Sequence, residues 1–356
     1  MVETPGMKRI LMIGKKRLPD FNNLARVLEK QKPSRPTLFE FMIDDGLLQR
    51  IAGRDYGTDY ETMLRVKITA FERLGYDFTV AHASLFHFRT AQDKHGAQTV
   101  SMNQGFLITD RESFDRYEWN EPEDFPLSPL EAATADLPEG MKLIICGPCG
   151  VLENAVAIVG YENLCLMAYE DPALLEDIFD CIGSRLLRYY ESVASWDSVG
   201  AIMSNDDWGF NTQTMLSPEM MRHYVFPWHK RIAEAAHRRG KYALLHSCGC
   251  YRQVIGDIID DMRFDGRHSY QDNIVPVEEA YESLKGRIAV LGGIDMDYLA
   301  RSSPEEIRGR CRAMLERSAQ AGGYALGSGN SIPAYIPYEN YRTLLDTVLE
   351  EGCVNM

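Results

Sequence analysis

From residue 142 to its end the chain alternates short apolar runs with amphipathic stretches, and this order restricts the fold more than any other property of the sequence. Runs at 142–146, 198–203, 241–245, 264–268, 287–291 and 324–326 read as strands. Stretches at 172–193, 218–237, 251–260, 277–284, 304–319 and 338–349 carry apolar residues at helical spacing. Upstream, 37–43 and 77–81 read as two more strands. Between them, 58–74 is helical, with Tyr60, Met63, Leu64, Ile68 and Phe71 on one face and Gly75 as the stop. Strands alternating with helices imply a parallel sheet. Eight such units in 356 residues predict an α/β fold of the TIM-type (β/α)8 barrel kind. An open doubly wound sheet is the alternative, but no glycine-rich nucleotide fingerprint follows the early strands. The expected organisation is one domain over 1–356. It comprises an N-terminal helical arm over 1–35 (helix 20–31, closed by Pro33 and Pro36) and a barrel over 36–350. An insertion over about 83–140 holds a β-hairpin at 98–109, after the second strand, and an acidic, Pro-rich excursion at 118–126.

In such barrels chemistry sits at the carboxyl ends of the strands. The fifth expected strand has the sharpest end: Tyr242-Ala-Leu-Leu245 runs into His246-Ser-Cys248-Gly-Cys250. Residues two apart on an extended chain share a face, so His246, Cys248 and Cys250 can point the same way. Imidazole and thiolate are donors that zinc accepts. The other ends carry Glu40 with Asp44 and Asp45, His82, Cys146-Gly-Pro-Cys149, and Asn205-Asp206-Asp207-Trp208. His268 with Asp272, Gly292-Gly293-Ile294-Asp295 and Gly327-Ser328-Gly329-Asn330 complete the ring. Asp206, Asp207 and His268 are the candidate catalytic groups, able to orient a substrate or a ligating imidazole. Glu40, His82, Asn205, Trp208, Asp272 and Asn330 are the substrate-binding candidates. Plainer readings stand beside these. Asn-Asp-Asp is ordinary turn chemistry, Asp295 can cap the next helix, and His82 and His268 can be structural. No helical pattern is read directly after Cys146-x-x-Cys149, which weakens a redox reading of that pair.

A formal charge of −14 with no Lys/Arg-rich block excludes a general nucleic-acid binder. No apolar run reaches bilayer-spanning length, and the first residues lack a signal-peptide pattern, so no membrane partner and a cytoplasmic location are expected. Eight cysteines, mostly inside helix or strand patterns, read as reduced thiols.

His246-Ser-Cys-Gly249, Leu291-Gly-Gly-Ile-Asp295, Leu326-Gly-Ser-Gly329, Ile332-Pro333 and Tyr338-Glu-Asn, with Gly147-Pro148 and Leu216-Ser-Pro218, resemble the uroporphyrinogen decarboxylase superfamily over roughly 140–350. The resemblance implies a TIM-type barrel. True decarboxylases of that superfamily carry arginines near the N-terminus for their carboxylate-rich substrate, where this chain reads Phe39-Glu-Phe-Met-Ile-Asp-Asp45. Their late histidine aligns with Ser328. The chain is more similar to the cobamide-dependent methyltransferase branch, in which the His-x-Cys pair binds zinc. That resemblance implies zinc on His246 and Cys248. In the branch a late cysteine at the Ser328 position supplies the third ligand, so here the third donor falls to Cys250 or Ser328, with Cys149, Asp206 and Glu153 as further candidates. The implied function is methyl transfer between a corrinoid (cobamide), free or on a corrinoid protein, and a thiol or other small acceptor. The expected partners are a small-molecule methyl donor or acceptor, the corrinoid protein, and a second copy of the chain in a homodimer. The alternatives are a decarboxylase of a porphyrinogen or other carboxylated substrate and a non-catalytic corrinoid- or tetrapyrrole-binding protein.

Overall fold

Among the described residues seven strands pair in strict chain order: β1 Phe78–His82, β2 Lys142–Cys146, β3 Val199–Asn205, β4 Tyr242–His246, β5 Gly266–His268, β6 Ala289–Leu291 and β7 Tyr324–Ala325. Each is parallel to the next. This computed structural model describes residues 17–90, 102–103 and 106–354. Parallel neighbours need long crossovers, and helices supply most of them: Pro172–Ala194, Phe226–His237, Val277–Leu284 and Pro304–Ser318. The sheet curls until its ends meet. Leu38 bridges Leu326 and Ile43 bridges Ile332, while the Phe39 ring packs on Phe78 of β1 at 5.3 Å. The fold is an α/β TIM-type barrel.

The segment expected as the first strand, 37–43, makes single bridges rather than a ladder. The cause is local. The Ser328 N–H and hydroxyl, which face this segment, both donate to the buried Glu40 carboxyl group instead. The crossover after β4, expected as a helix over 251–260, is helical only from residue 255, and most of that is one π-helical turn, Asp257–Asp261. A helix does follow Cys146-x-x-Cys149, contrary to expectation: Val151–Val159, apolar nearly all round and buried, so its helical period was hidden. Tyr161–Glu170, Asp45–Ala52 and Met296–Arg301 are further helices that periodicity missed. Of the hairpin expected at 98–109, half lies outside the described residues, and 102–103 and 106–109 are in no strand.

Helix Asn22–Leu28 closes the end where the strands start. It does so because two strand positions have no side chain: Phe21 lies against Gly200 and Leu28 against Gly266, where a Cβ would come within 3 Å of either. Asp77, buried just before β1, fastens this arm through the Asp20 N–H at 2.9 Å and Arg35 at 2.6 Å. Among the described residues no single helix is long and apolar enough to cross a bilayer.

Candidate functional site

Register sets up the site. Asn205 on β3 pairs with His246 on β4, which pairs with His268 on β5, so three strands end level at one point of the rim. Beyond those ends the chain turns sharply. Gly249 takes a φ of +96° and abuts Gly209, whose carbonyl oxygen would lie 2.1 Å from any Cβ there. The turn brings Cys248 back beside His246, with Sγ 3.8 Å from His246 Nε2. Asp207, two residues past Asn205, lies on the same side. Its Oδ1 accepts the Cys248 N–H at 2.8 Å and stands 4.0 Å from His246 Nε2. The Asp207, His246 and Cys248 donor atoms all lie within 4.8 Å of one another.

Hydrogen bonding selects the histidine tautomers. The Ser328 carbonyl, 3.2 Å from His268 Nε2, can only accept, so that nitrogen carries the proton. Burial pushes His268 down to about 3 and His246 well below its ordinary 6.5, the latter helped by His268 and Arg267, so both rings are neutral. His268 Nδ1 is therefore an acceptor, and it receives His246 Nδ1–H at 2.8 Å. His246 Nε2 keeps its lone pair, and it is aimed at Cys248 and Asp207. The Phe41 ring covers His246 at 4.2 Å. Cys248 Sγ is further held by Asn330 Nδ2 at 3.2 Å and sits 3.6 Å from the Ser269 hydroxyl. Burial, with Asp207 adding to it, pushes the Cys248 thiol up to about 12, so a metal must displace a proton to bind it.

A tetrahedral ion with bonds of about 2.0–2.3 Å needs its donors roughly 3.3–3.8 Å apart. Separations of 3.8 and 4.0 Å come within a small closure of that, and three protein donors leave a fourth position open. The nitrogen–sulfur–oxygen set therefore fits zinc.

The other expected residues fall elsewhere. The buried Ser328 hydroxyl donates to Glu40 at 2.6 Å. Cys250 is outside the donor cluster. Its N–H is tied to the Phe210 carbonyl at 2.8 Å, beyond the turn. Asp206 faces away from Asp207, as neighbours on an extended chain must. It accepts His229 Nε2 at 2.8 Å and the Leu152 and Glu153 N–H groups at 2.9 Å each, so it is a buried cap rather than a substrate-facing group. Glu40 is fully buried, and burial pushes it up to about 8. Its neighbour Asp44 caps helix Asp45–Ala52, and Asp45 accepts the Tyr56 hydroxyl. Trp208 is core, packed on Phe226 and His229 at 5.0 Å each. Asn205 accepts the Gly147 N–H at 3.0 Å, and Asp272 pairs with Arg310 at 2.7 Å. His82 lies 3.7 Å from Cys146 Sγ, where burial lowers it to about 4. Cys149 is exposed on the rim. Glu153 is pushed up by burial and by Asp206 and Asp207. Asp295 does cap the next helix.

Sequence reasoning named Asp207 but did not group it with His246 and Cys248, and it missed Phe41, Ser269, Arg267 and His229. The signal for Asp207 was strand register: with Asn205 opposite His246, Asp207 falls opposite Cys248.

The sequence profile of the uroporphyrinogen decarboxylase (URO-D) family matches residues 24–351. The chain is 26% identical over 235 residues to the uroporphyrinogen decarboxylase of Anaeromyxobacter dehalogenans, covering 63% of each protein. It is 22% identical over 186 residues to a methylated-thiol–coenzyme M methyltransferase of Methanosarcina mazei, covering 52% of this chain and 47% of that protein. The chain thus spans less than two thirds of the length of the curated relatives it matches. Among solved structures, a methyltransferase from Methanosarcina mazei matches with a TM-score of 0.69 over 94% of this chain and 99% of that one, at 15% identity. A B12-independent methionine synthase from Shewanella matches with 0.51 over 95% of each, at 14% identity. At these identities the two likenesses speak for the fold alone. With the profile spanning nearly all of the barrel, the chain belongs to the uroporphyrinogen decarboxylase family.

Proposed function

We propose that this chain is a zinc-dependent methyltransferase, moving a methyl group between a corrinoid, free or on a partner protein, and a thiol or other small acceptor. The observation that carries the reading is the donor set: His246 Nε2, Cys248 Sγ and Asp207 Oδ1 converge, with the His246 lone pair already aimed inward. Decarboxylation without a cofactor has no need of such a cluster. The sequence likeness to a methylated-thiol–coenzyme M methyltransferase supports the same reading.

His246, Cys248 and Asp207 would hold the metal. When bound, zinc supplies the Lewis acidity that keeps a coordinated thiol in its nucleophilic thiolate form. The protein's share is orientation. His268 holds the His246 ring in one tautomer, and Asn330 and Ser269 fix the direction of the Cys248 sulfur. Phe41 keeps water from the back of the imidazole. Asp207, its side chain 44% exposed, is the ligand on the solvent side, where an acceptor would enter.

A second reading, decarboxylation of a carboxylated substrate, is favoured by the relatives that are uroporphyrinogen decarboxylases. Metal analysis separates the two. Protein purified without an affinity metal is expected to carry about one zinc per chain, lost in His246→Ala, Cys248→Ala and Asp207→Ala and kept in Ser328→Ala and Cys250→Ala. A folded, metal-free protein that decarboxylates a porphyrinogen would overturn the methyltransferase reading.

A further inference from the structure

His246 and Cys248 flank Ser247, so the backbone of Ser247 sets the angle between the two donors. β5 holds that backbone. The Ser247 N–H donates to the His268 carbonyl at 2.8 Å, and the Ser247 carbonyl accepts Arg267 Nη2 at 3.0 Å. Arg267 is fully buried. Its guanidinium carbon lies 3.1 Å from the centre of the Tyr251 ring and 4.7 Å from that of Tyr270. Its Nε and Nη1 find no hydrogen-bond partner among the described residues.

A buried guanidinium is costly and is normally paired with a carboxylate. Here the partners are two aromatic faces and one carbonyl. An apolar side chain would fill the space without burying a charge. What an apolar side chain cannot do is bond the Ser247 carbonyl while stacking between Tyr251, which follows β4, and Tyr270, which follows β5. A planar fork with a polar edge and two flat faces meets that demand.

The opposite side of the turn is held by backbone donors: Cys248 N–H to Asp207 Oδ1 and Cys250 N–H to the Phe210 carbonyl. On the β5 side, Arg267 is the side chain that reaches the carbonyl between the two ligands.

We propose that Arg267 is a positioning residue for the metal-ligand turn: stacked between Tyr251 and Tyr270 and bonded to the Ser247 carbonyl, it sets the angle at which His246 Nε2 and Cys248 Sγ meet. This rests on the metal reading above. Any small acceptor that depends on the open coordination position then depends on Arg267 without touching it.

The test uses the full chain as wild type, Arg267→Met, Arg267→Lys and Tyr251→Leu. Zinc affinity is read by chelator competition, donor geometry by the absorption spectrum of the cobalt(II)-substituted protein, and folding by the melting temperature of the metal-free protein. Arg267→Met is expected to bind zinc about 10–100-fold more weakly, as loss of a group that orients a ligand does. Its cobalt spectrum is expected to change in band position and intensity. Arg267→Lys keeps the charge but not the planar fork, and it should stay within about threefold of the Met variant. Tyr251→Leu removes one face of the stack from outside the strands and should weaken binding about 3–10-fold, which decides the matter if Arg267→Met does not fold. Wild-type affinity and an unchanged cobalt spectrum in Tyr251→Leu and Arg267→Met would overturn the inference while leaving the metal reading intact. Full rescue by lysine would also overturn it, because charge rather than shape would then be the requirement. A wild-type protein that binds neither zinc nor cobalt removes the metal reading, and this inference with it.

Discussion

At the scale of single residues, the site turns on which nitrogen of His246 carries a proton. His268 decides it, because its own proton is committed to the Ser328 carbonyl. Replacing His268 by phenylalanine keeps the ring volume and removes the acceptor, leaving His246 free to turn or to change tautomer. Zinc affinity of His268→Phe, measured by chelator competition, is expected to fall about 10–100-fold. An affinity within threefold of wild type would show that His246 needs no such partner. Ser328, a candidate third ligand by sequence, shows a different partner at this same scale. Its hydroxyl is spent on Glu40, a contact across 288 positions of sequence that no local pattern announces.

At the scale of elements, Asp206 and Asp207 look alike in sequence and do different work. Asp206, itself fully buried, locks helix Val151–Val159 to β3 and holds His229. Gly150 allows this approach, since a Cβ there would sit 2.1 Å from the Asp206 side chain. Losing a buried carboxylate that accepts three hydrogen bonds is expected to cost about 2–4 kcal/mol. Asp207→Ala gives up one bond near solvent and should cost about 1 kcal/mol or less. Urea unfolding of the two metal-free variants checks the contrast, and equal losses would contradict the division of roles. The helix itself went unread because a segment buried on nearly every side has no polar face to mark its period.

At the scale of the whole molecule, the barrel closes through the meeting of 37–43 with the chain beyond β7, and Glu40 sits in that seam. Burial raises its carboxyl from 4.5 to about 8. Between those values the folded chain holds a proton that the unfolded chain has released. Stability therefore falls as pH rises, by up to about 1.4 kcal/mol per pH unit for this one group, and levels off above about 8. Glu40→Gln stays neutral throughout and removes that slope. From pH 5.5 to 7.5, wild type is expected to lose roughly 2 kcal/mol more than the variant by urea unfolding. Parallel pH profiles would place the Glu40 titration outside this range.

Sequence alone determined the alternation of strands and helices beyond residue 142, and with it the parallel barrel. These rest on local periodicity and on the rule that parallel strands need crossovers, both of which are written along the chain. That His246 and Cys248 lie side by side was legible for the same reason, since two residues apart is a local relation. Tertiary structure decided everything that depends on register between strands: Asp207 beside the pair, His268 behind His246, and Arg267 beneath Ser247. A one-residue slip exchanges the face of every side chain on a strand. Which aspartate of Asn205-Asp206-Asp207 meets Cys248 was therefore settled only when β3, β4 and β5 came into alignment.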